Sequence, residues 1–126
     1  MPLVEITLRA GRSPELVRLV GDAVHEALVA EANVPADDRF QIFHQVPADA
    51  LIAHPSYGGV SRSEELVVIR ITLNAGRTTE VKKRLYADIA RRLGQAAAIR
   101  PDDVLICLVE TSRENWSFGG GVATYA

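Results

Sequence analysis

A chain of 126 residues with 14 Lys and Arg against 16 Asp and Glu carries a net charge of −2 at pH 7, which leaves no basic footprint for nucleic acid or an anionic membrane. At 48% apolar and 24% charged residues the balance is that of an ordinary globular chain, and the length suits one domain with one core. No apolar run is long enough to span a bilayer, and no basic start followed by an apolar stretch marks a secretory signal, so a cytoplasmic location is expected.

The first predicted element is a strand over Leu3–Leu8, where Val4, Ile6 and Leu8 alternate with more polar neighbours. A Gly-Arg turn follows. A helix is predicted to start at Ser13, with Pro14 in its first turn and Val17, Val20, Val24 and Leu28 as its apolar stripe. The turn "NVPADD" stops it, and a second strand is predicted over Arg39–Val46. The segment 47–65, "PADALIAHPSYGGVSRSEE", has no clear period and reads as a long connection of the kind that lids or lines a site.

The same order then returns. A strand is predicted over Leu66–Leu73, a helix from Thr78 or Thr79 with Val81, Leu85, Ile89 and Leu93 on one face, the turn "IRPDD", and a strand over Val104–Glu110. Residues 3–45 align with 68–110 at a constant offset of 65, without a gap and with eleven identities, among them Gly11/Gly76, Arg12/Arg77, Asp37/Asp102 and Asp38/Asp103. A long period that occurs twice indicates a duplicated supersecondary unit. The organisation expected is therefore a single domain of two β-α-β units, 2–46 and 66–110, joined by the connection 47–65 and closed by a tail, 111–126.

Two such units predict an α/β (α+β) fold: a four-stranded mixed sheet with both helices on one face. The other face would carry Leu3, Glu5, Thr7, Val68, Arg70 and Thr72, too apolar for open water and too polar for a dry core, so an oligomer is expected to cover it. The tail holds three consecutive glycines, Gly119–Gly121, beside Trp116 and Phe118, and reads as a turn flanked by short strands. The single Cys107 lies in "VLICLVE" and is expected to be a buried core residue. His25, His44 and His54 show no ligand spacing, so no metal site is expected, and no glycine-rich segment opens a helix in a phosphate-binding pattern.

The chemistry is suggested by the second residue. Removal of Met1 is efficient before a small residue, and proline qualifies. The chain would then begin with a secondary amine on the end of a strand, a base nearer neutrality than lysine and suited to proton abstraction beside a carbonyl. Only a chain start supplies such a group; the second unit has Val67 at that place. Two β-α-β units could equally form a ferredoxin-like binding module without catalysis.

"PLVEITLRAGRS", "VPADDRFQ" at 34–41, "PDDVLICLVE" at 101–110 and "NWSFGGG" at 115–121 resemble the tautomerase superfamily, and within it the fused-repeat group around malonate semialdehyde decarboxylase. The resemblance implies a cofactor-independent, homotrimeric enzyme acting on a small carboxylate. It implies Pro2 as the catalytic amine, Asp38 as the residue that hydrogen-bonds substrate or water, and Arg77 as the group that grips the substrate carboxylate. Trp116 and Phe118 would form an apolar wall. Ala75 stands where the decarboxylase has a second arginine, so Arg70 or Arg62 would have to supply a second cation. Keto–enol tautomerisation of a 2-oxo acid is the leading expectation; decarboxylation or hydration of a 3-oxo or unsaturated three-carbon acid is the alternative.

Overall fold

The computed structural model describes all 126 residues. In chain order they form β1 (Leu3–Arg9), α1 (Pro14–Glu31), β2 (Gln41–Val46), β3 (Val67–Asn74), α2 (Thr79–Ala97) and β4 (Val104–Thr111). The four strands make one sheet in the order β2-β1-β3-β4. β1 is parallel to β2 and β3 to β4, as a crossover helix requires, and the two units meet through the antiparallel β1–β3 pair.

The helices begin where hydroxyl caps are available. Ser13 Oγ accepts from the Leu16 amide at 3.1 Å and Thr78 Oγ1 from Val81 at 3.2 Å. Both end with the same device. The Leu28 carbonyl accepts from the Val34 amide at 3.3 Å and Leu93 from Ile99 at the same distance, while Asn33 and Ala98 turn through left-handed backbone at φ 57° and 54°. Position for position, these are the same residues of the two repeats. So are the bonds that prolong each parallel pair, Ala10 to Val46 and Ala75 to Thr111.

The period-2 strand pattern puts Val4, Ile6, Leu8, Val67, Ile69, Ile71 and Leu73 against the helices. There they pack with Val20, Val24, Leu28, Leu85, Ile89 and Leu93 in one core. Gly21 lets α1 approach the sheet closely: a Cβ there would lie 2.6 Å from Phe43 Cζ. The opposite sheet face is bare in the single chain, and Ile42, Leu105 and Val109 are exposed on it.

Three expectations need correction. Cys107 is exposed, because the alternation along β4 turns it to the bare face beside Arg70. The tail forms no strand: after β4 there is a single helical turn, Arg113–Asn115, and then Gly119, Gly120 and Gly121 at φ 144°, 69° and 71°, a backbone that cannot join a ladder. The connection 47–65 lies at the Arg9/Val46 end of the sheet, roughly 20 Å along β1 from Pro2 at about 3.3 Å per residue, so within one chain it does not line the Pro2 end.

Candidate active site

Parallel and antiparallel pairing together bring four distant segments to one end of the sheet. Leu3 is opposite Thr72 and Val4 opposite Gln41, so the chain start, the turn before β2, and the ends of β3 and β4 are neighbours. Pro2 is buried there. It lines a cavity of about 350 Å³ with Leu3, Phe40, Asn115, Trp116, Ser117 and Phe118.

The aromatic wall holds itself in place. The Trp116 indole N–H donates to Thr111 Oγ1 at 2.8 Å, and Phe118 packs 5.5 Å from Phe40, 5.6 Å from Trp116 and 5.3 Å from Tyr125, the last two edge to face. Tyr125 arrives because the glycine turn folds the chain back: the Thr124 amide donates to the Trp116 carbonyl and the Phe118 amide to Thr124 Oγ1. Sequence reasoning found Trp116 and Phe118 but missed Phe40, Tyr125, Asn115 and Ser117. Phe40 could have been found from its place two residues after Asp38. Nothing in the sequence marks Tyr125, whose approach depends on the reversal at Gly119–Gly121.

Asp38 sits in a second cavity, of about 440 Å³, that shares Phe40 and Phe118 with the first and includes Met1, Asp37 and Tyr125. With Met1 in place, the terminal ammonium donates to Asp38 Oδ2 at 2.6 Å. The other carboxylate oxygen is buried without a partner, and the side chain is only 10% exposed. Burial, and then the negative charge of Asp38, raise the Tyr125 phenol above its ordinary value; Arg113, whose guanidinium lies 5.8 Å from the ring centre, partly opposes them.

Arg77 reaches the same end of the sheet. A cation at the start of α2 would oppose that helix dipole, but the guanidinium points instead to the carboxyl end of α1. Nε and Nη2 donate to the Ala32 carbonyl at 3.1 and 2.9 Å, and Nη1 to the Asn74 carbonyl at 3.1 Å. Two N–H groups of the five on a guanidinium remain outside these three bonds. Arg77 is not among the residues that line the Pro2 cavity. Arg70 does not join the group either: it is exposed on the bare sheet face, in a shallow depression with Glu5, Thr7 and His44. Arg62 is tied into the connection by bonds to the His54 and Tyr57 carbonyls.

The repeat mate of Asp38 has a different environment. Asp103 is 1% exposed and receives the Ser63 amide at 2.7 Å, the Ser63 hydroxyl at 2.6 Å and the Arg100 guanidinium at 3.2–3.3 Å. Burial by itself would raise its carboxyl; the bonds from Ser63 and Arg100 outweigh that and hold it below the usual range. At the Asp103 end the chain runs through, and its own connection satisfies the carboxylate. At the Asp38 end the chain begins, and the carboxylate meets a terminal amine.

Comparison with known proteins bears on the family and the fold. A family profile described as "Tautomerase enzyme" matches residues 38–119, and a second profile with the same description matches residues 2–60. A Bacillus subtilis (strain 168) protein described as probable tautomerase YusQ is 42% identical over 123 residues, covering 98% of this chain and 97% of that one. The crystal structure of FG41 malonate semialdehyde decarboxylase inhibited by 3-bromopropiolate superposes with a TM-score of 0.92 at 40% identity, covering 98% of this chain and 93% of that one. A malonate semialdehyde decarboxylase solved in wild-type, mutant and inactivated forms gives 0.92 at 32% identity, covering 98% and 95%.

Proposed function

The chain belongs to the tautomerase family of enzymes, and on that premise we propose that Pro2, once Met1 is removed, is the proton carrier in keto–enol tautomerisation of a small 2-oxo acid. The observation that carries the reading is the setting of the chain start: Pro2 is a wall of an aromatic-lined cavity, and the ammonium of Met1, one residue before it, reaches a nearly buried Asp38 at 2.6 Å. The free secondary amine takes a proton at one position of the substrate and returns it at the other. Asp38 accepts a hydrogen bond from the enol hydroxyl, Arg77 holds the carboxylate through its uncommitted N–H groups, and Trp116 and Phe118 keep water from the reacting atoms.

A second reading, decarboxylation or hydration of a 3-oxo or unsaturated three-carbon acid, is favoured by one likeness. In it a protonated Pro2 would act as an acid or an electron sink rather than a base. The two malonate semialdehyde decarboxylases are similar over nearly the whole chain.

The test follows ketonisation of an aryl-pyruvate enol by ultraviolet absorbance in the wild type and in Pro2→Ala, with mass spectrometry to establish that Met1 is absent. A loss of about 100-fold or more is expected in the variant; equal rates would remove Pro2 from the mechanism. Carbon dioxide release from malonate semialdehyde, with activity falling as Pro2 is deprotonated, selects the second reading. We further propose a homotrimer, supported by the half-apolar bare face and by the two unpaired sheet edges, β2 and β4.

A further inference from the structure

The turn that carries Asp38 is gripped by α1 along residues 21–25. His25 Nε2 donates to the Ala36 carbonyl at 2.8 Å, the acceptor there making Nε2 the protonated nitrogen. Arg39 Nη2 donates to Asp22 Oδ1 at 2.7 Å, and Arg39 Nε and Nη2 donate to Gln41 Oε1 at 3.2 and 3.0 Å. Gln41 Nε2 donates in turn to the Gly21 carbonyl at 2.8 Å, and a Cβ on Gly21 would lie 2.7 Å from Gln41 Oε1. The chain is therefore held on both sides of Asp38, at Ala36 before it and at Arg39 and Gln41 after it. None of Asp22, His25, Arg39 and Gln41 lines either cavity. The Asp38 carboxylate has no such support of its own: its one bond is to the Met1 ammonium, and Oδ1 is without a partner. Once Met1 is gone, the backbone of the turn sets where Asp38 points.

We infer that His25, with Asp22, Arg39 and Gln41, forms a clamp that positions Asp38 for the reaction. The second repeat supplies the contrast. At the offset of 65, Asp22, His25, Arg39 and Gln41 become Ala87, Ala90, Val104 and Ile106, and Gly21 becomes Tyr86. Every polar member is replaced, although the helix and the strand that they join are both kept. A β-α-β unit of this kind therefore forms without the clamp, which is present only in the unit that begins with Pro2. Asp103 has no use for one, because Ser63 and Arg100 hold its carboxylate directly. His25 is the member that bonds closest in the chain to Asp38, at Ala36, two residues before it. If that bond is lost, the turn relaxes and the carboxylate drifts from the enol oxygen. The contact between them strengthens as the transition state forms, so the loss falls on kcat rather than on KM. His25 is thus a positioning residue, and its role rests on the proposed function of Asp38.

Ketonisation kinetics and amide hydrogen exchange by NMR test it, on the wild type, His25→Leu, His25→Gln, Asp38→Ala and the double variant of His25→Leu with Asp38→Ala. In His25→Leu, kcat should fall about tenfold with KM within about twofold of the wild type, and His25→Gln, whose amide nitrogen can stand where Nε2 does, should restore most of it. In the Asp38→Ala background, where no carboxylate is left to position, His25→Leu should change kcat by less than about twofold. The Asp38 amide, bonded to the Pro35 carbonyl at 3.0 Å, should exchange at least about tenfold faster in His25→Leu, while the Asp103 amide, bonded to Arg100 at 2.9 Å, keeps its wild-type rate. Wild-type exchange at Asp38 overturns the clamp. Faster exchange with unchanged kcat, or an equal loss of kcat in both backgrounds, overturns the positioning role. A wild type without ketonisation overturns the proposed function and not the clamp, which the exchange rates decide by themselves. Should His25→Leu fail to fold, Asp22→Ala, which frees Arg39 at an exposed position, takes its place with the same expectations.

Discussion

Asp38 and Asp103 occupy the same position in the two repeats, and the structure assigns them opposite consequences on mutation. In Asp103→Asn the buried site loses the charge behind the bonds from Arg100 and Ser63, and an amide N–H₂ is forced against donors. Breaking a buried, multiply bonded charge costs about 2–4 kcal/mol, or roughly 8–16 °C in Tm at about 4 °C per kcal/mol for a chain of this size. The variant should keep wild-type kcat, since Asp103 and Pro2 lie at opposite ends of the sheet. Asp38→Asn removes a carboxylate with one unpartnered oxygen and keeps one acceptor oxygen in its place, so it should shift Tm by only about 1–2 °C while costing at least about tenfold in activity. The pH dependence follows from the sign of the Asp103 shift. Its carboxyl is held low in the folded state, so its stabilisation is present above the unfolded carboxyl range and is lost as pH falls through the lower folded value. Urea titrations by circular dichroism from pH 7 to pH 3 should show a steep decline in the wild type and a shallower one in Asp103→Asn. Equal midpoints at pH 7 for Asp103→Asn and wild type, or loss of activity in that variant at full stability, would refute the reasoning.

Other substitutions probe the frame and the site. Gly21→Ala puts a methyl 2.6 Å from Phe43 Cζ and 2.7 Å from Gln41 Oε1 and should destabilise by about 1–3 kcal/mol in urea titration. Ala98→Gly relieves left-handed backbone at φ 54° and should stabilise by about 1 kcal/mol, read as a Tm rise of a few degrees. Arg77→Ala uncaps the Ala32 carbonyl, and should lower Tm by a few degrees as well as raise KM for the carboxylate substrate; an unchanged KM would leave Arg77 only its role at the end of α1.

Much of the frame was legible in the residues. The repeat at offset 65, the alternating strands, the hydroxyl caps and the apolar helix stripes are local patterns, and local sterics and solvation suffice to turn them into two β-α-β units. The core positions followed from the same periodicities. Cys107 was misjudged because "VLICLVE" is apolar on both sides of the strand, so composition alone cannot say which side meets the helices. The tail misled for a related reason: aromatics suggest strand, but three glycines with positive φ decide the backbone.

Candidate site residues could be named in the sequence, but their surroundings could not. That Pro2 and Asp38 share one end of the sheet depends on β1 pairing with β2 in parallel, and that Trp116, Phe118 and Tyr125 close over them depends on where β4 ends and the glycine turn reverses. Whether Arg77 faces a substrate or the end of a helix, and whether an aspartate is satisfied by its own connection or left open to a chain terminus, are matters of long-range packing. Local periodicity carries the elements because each is stabilised by neighbours a few residues away; the site was decided only by tertiary structure, because every wall of it comes from a different and distant segment.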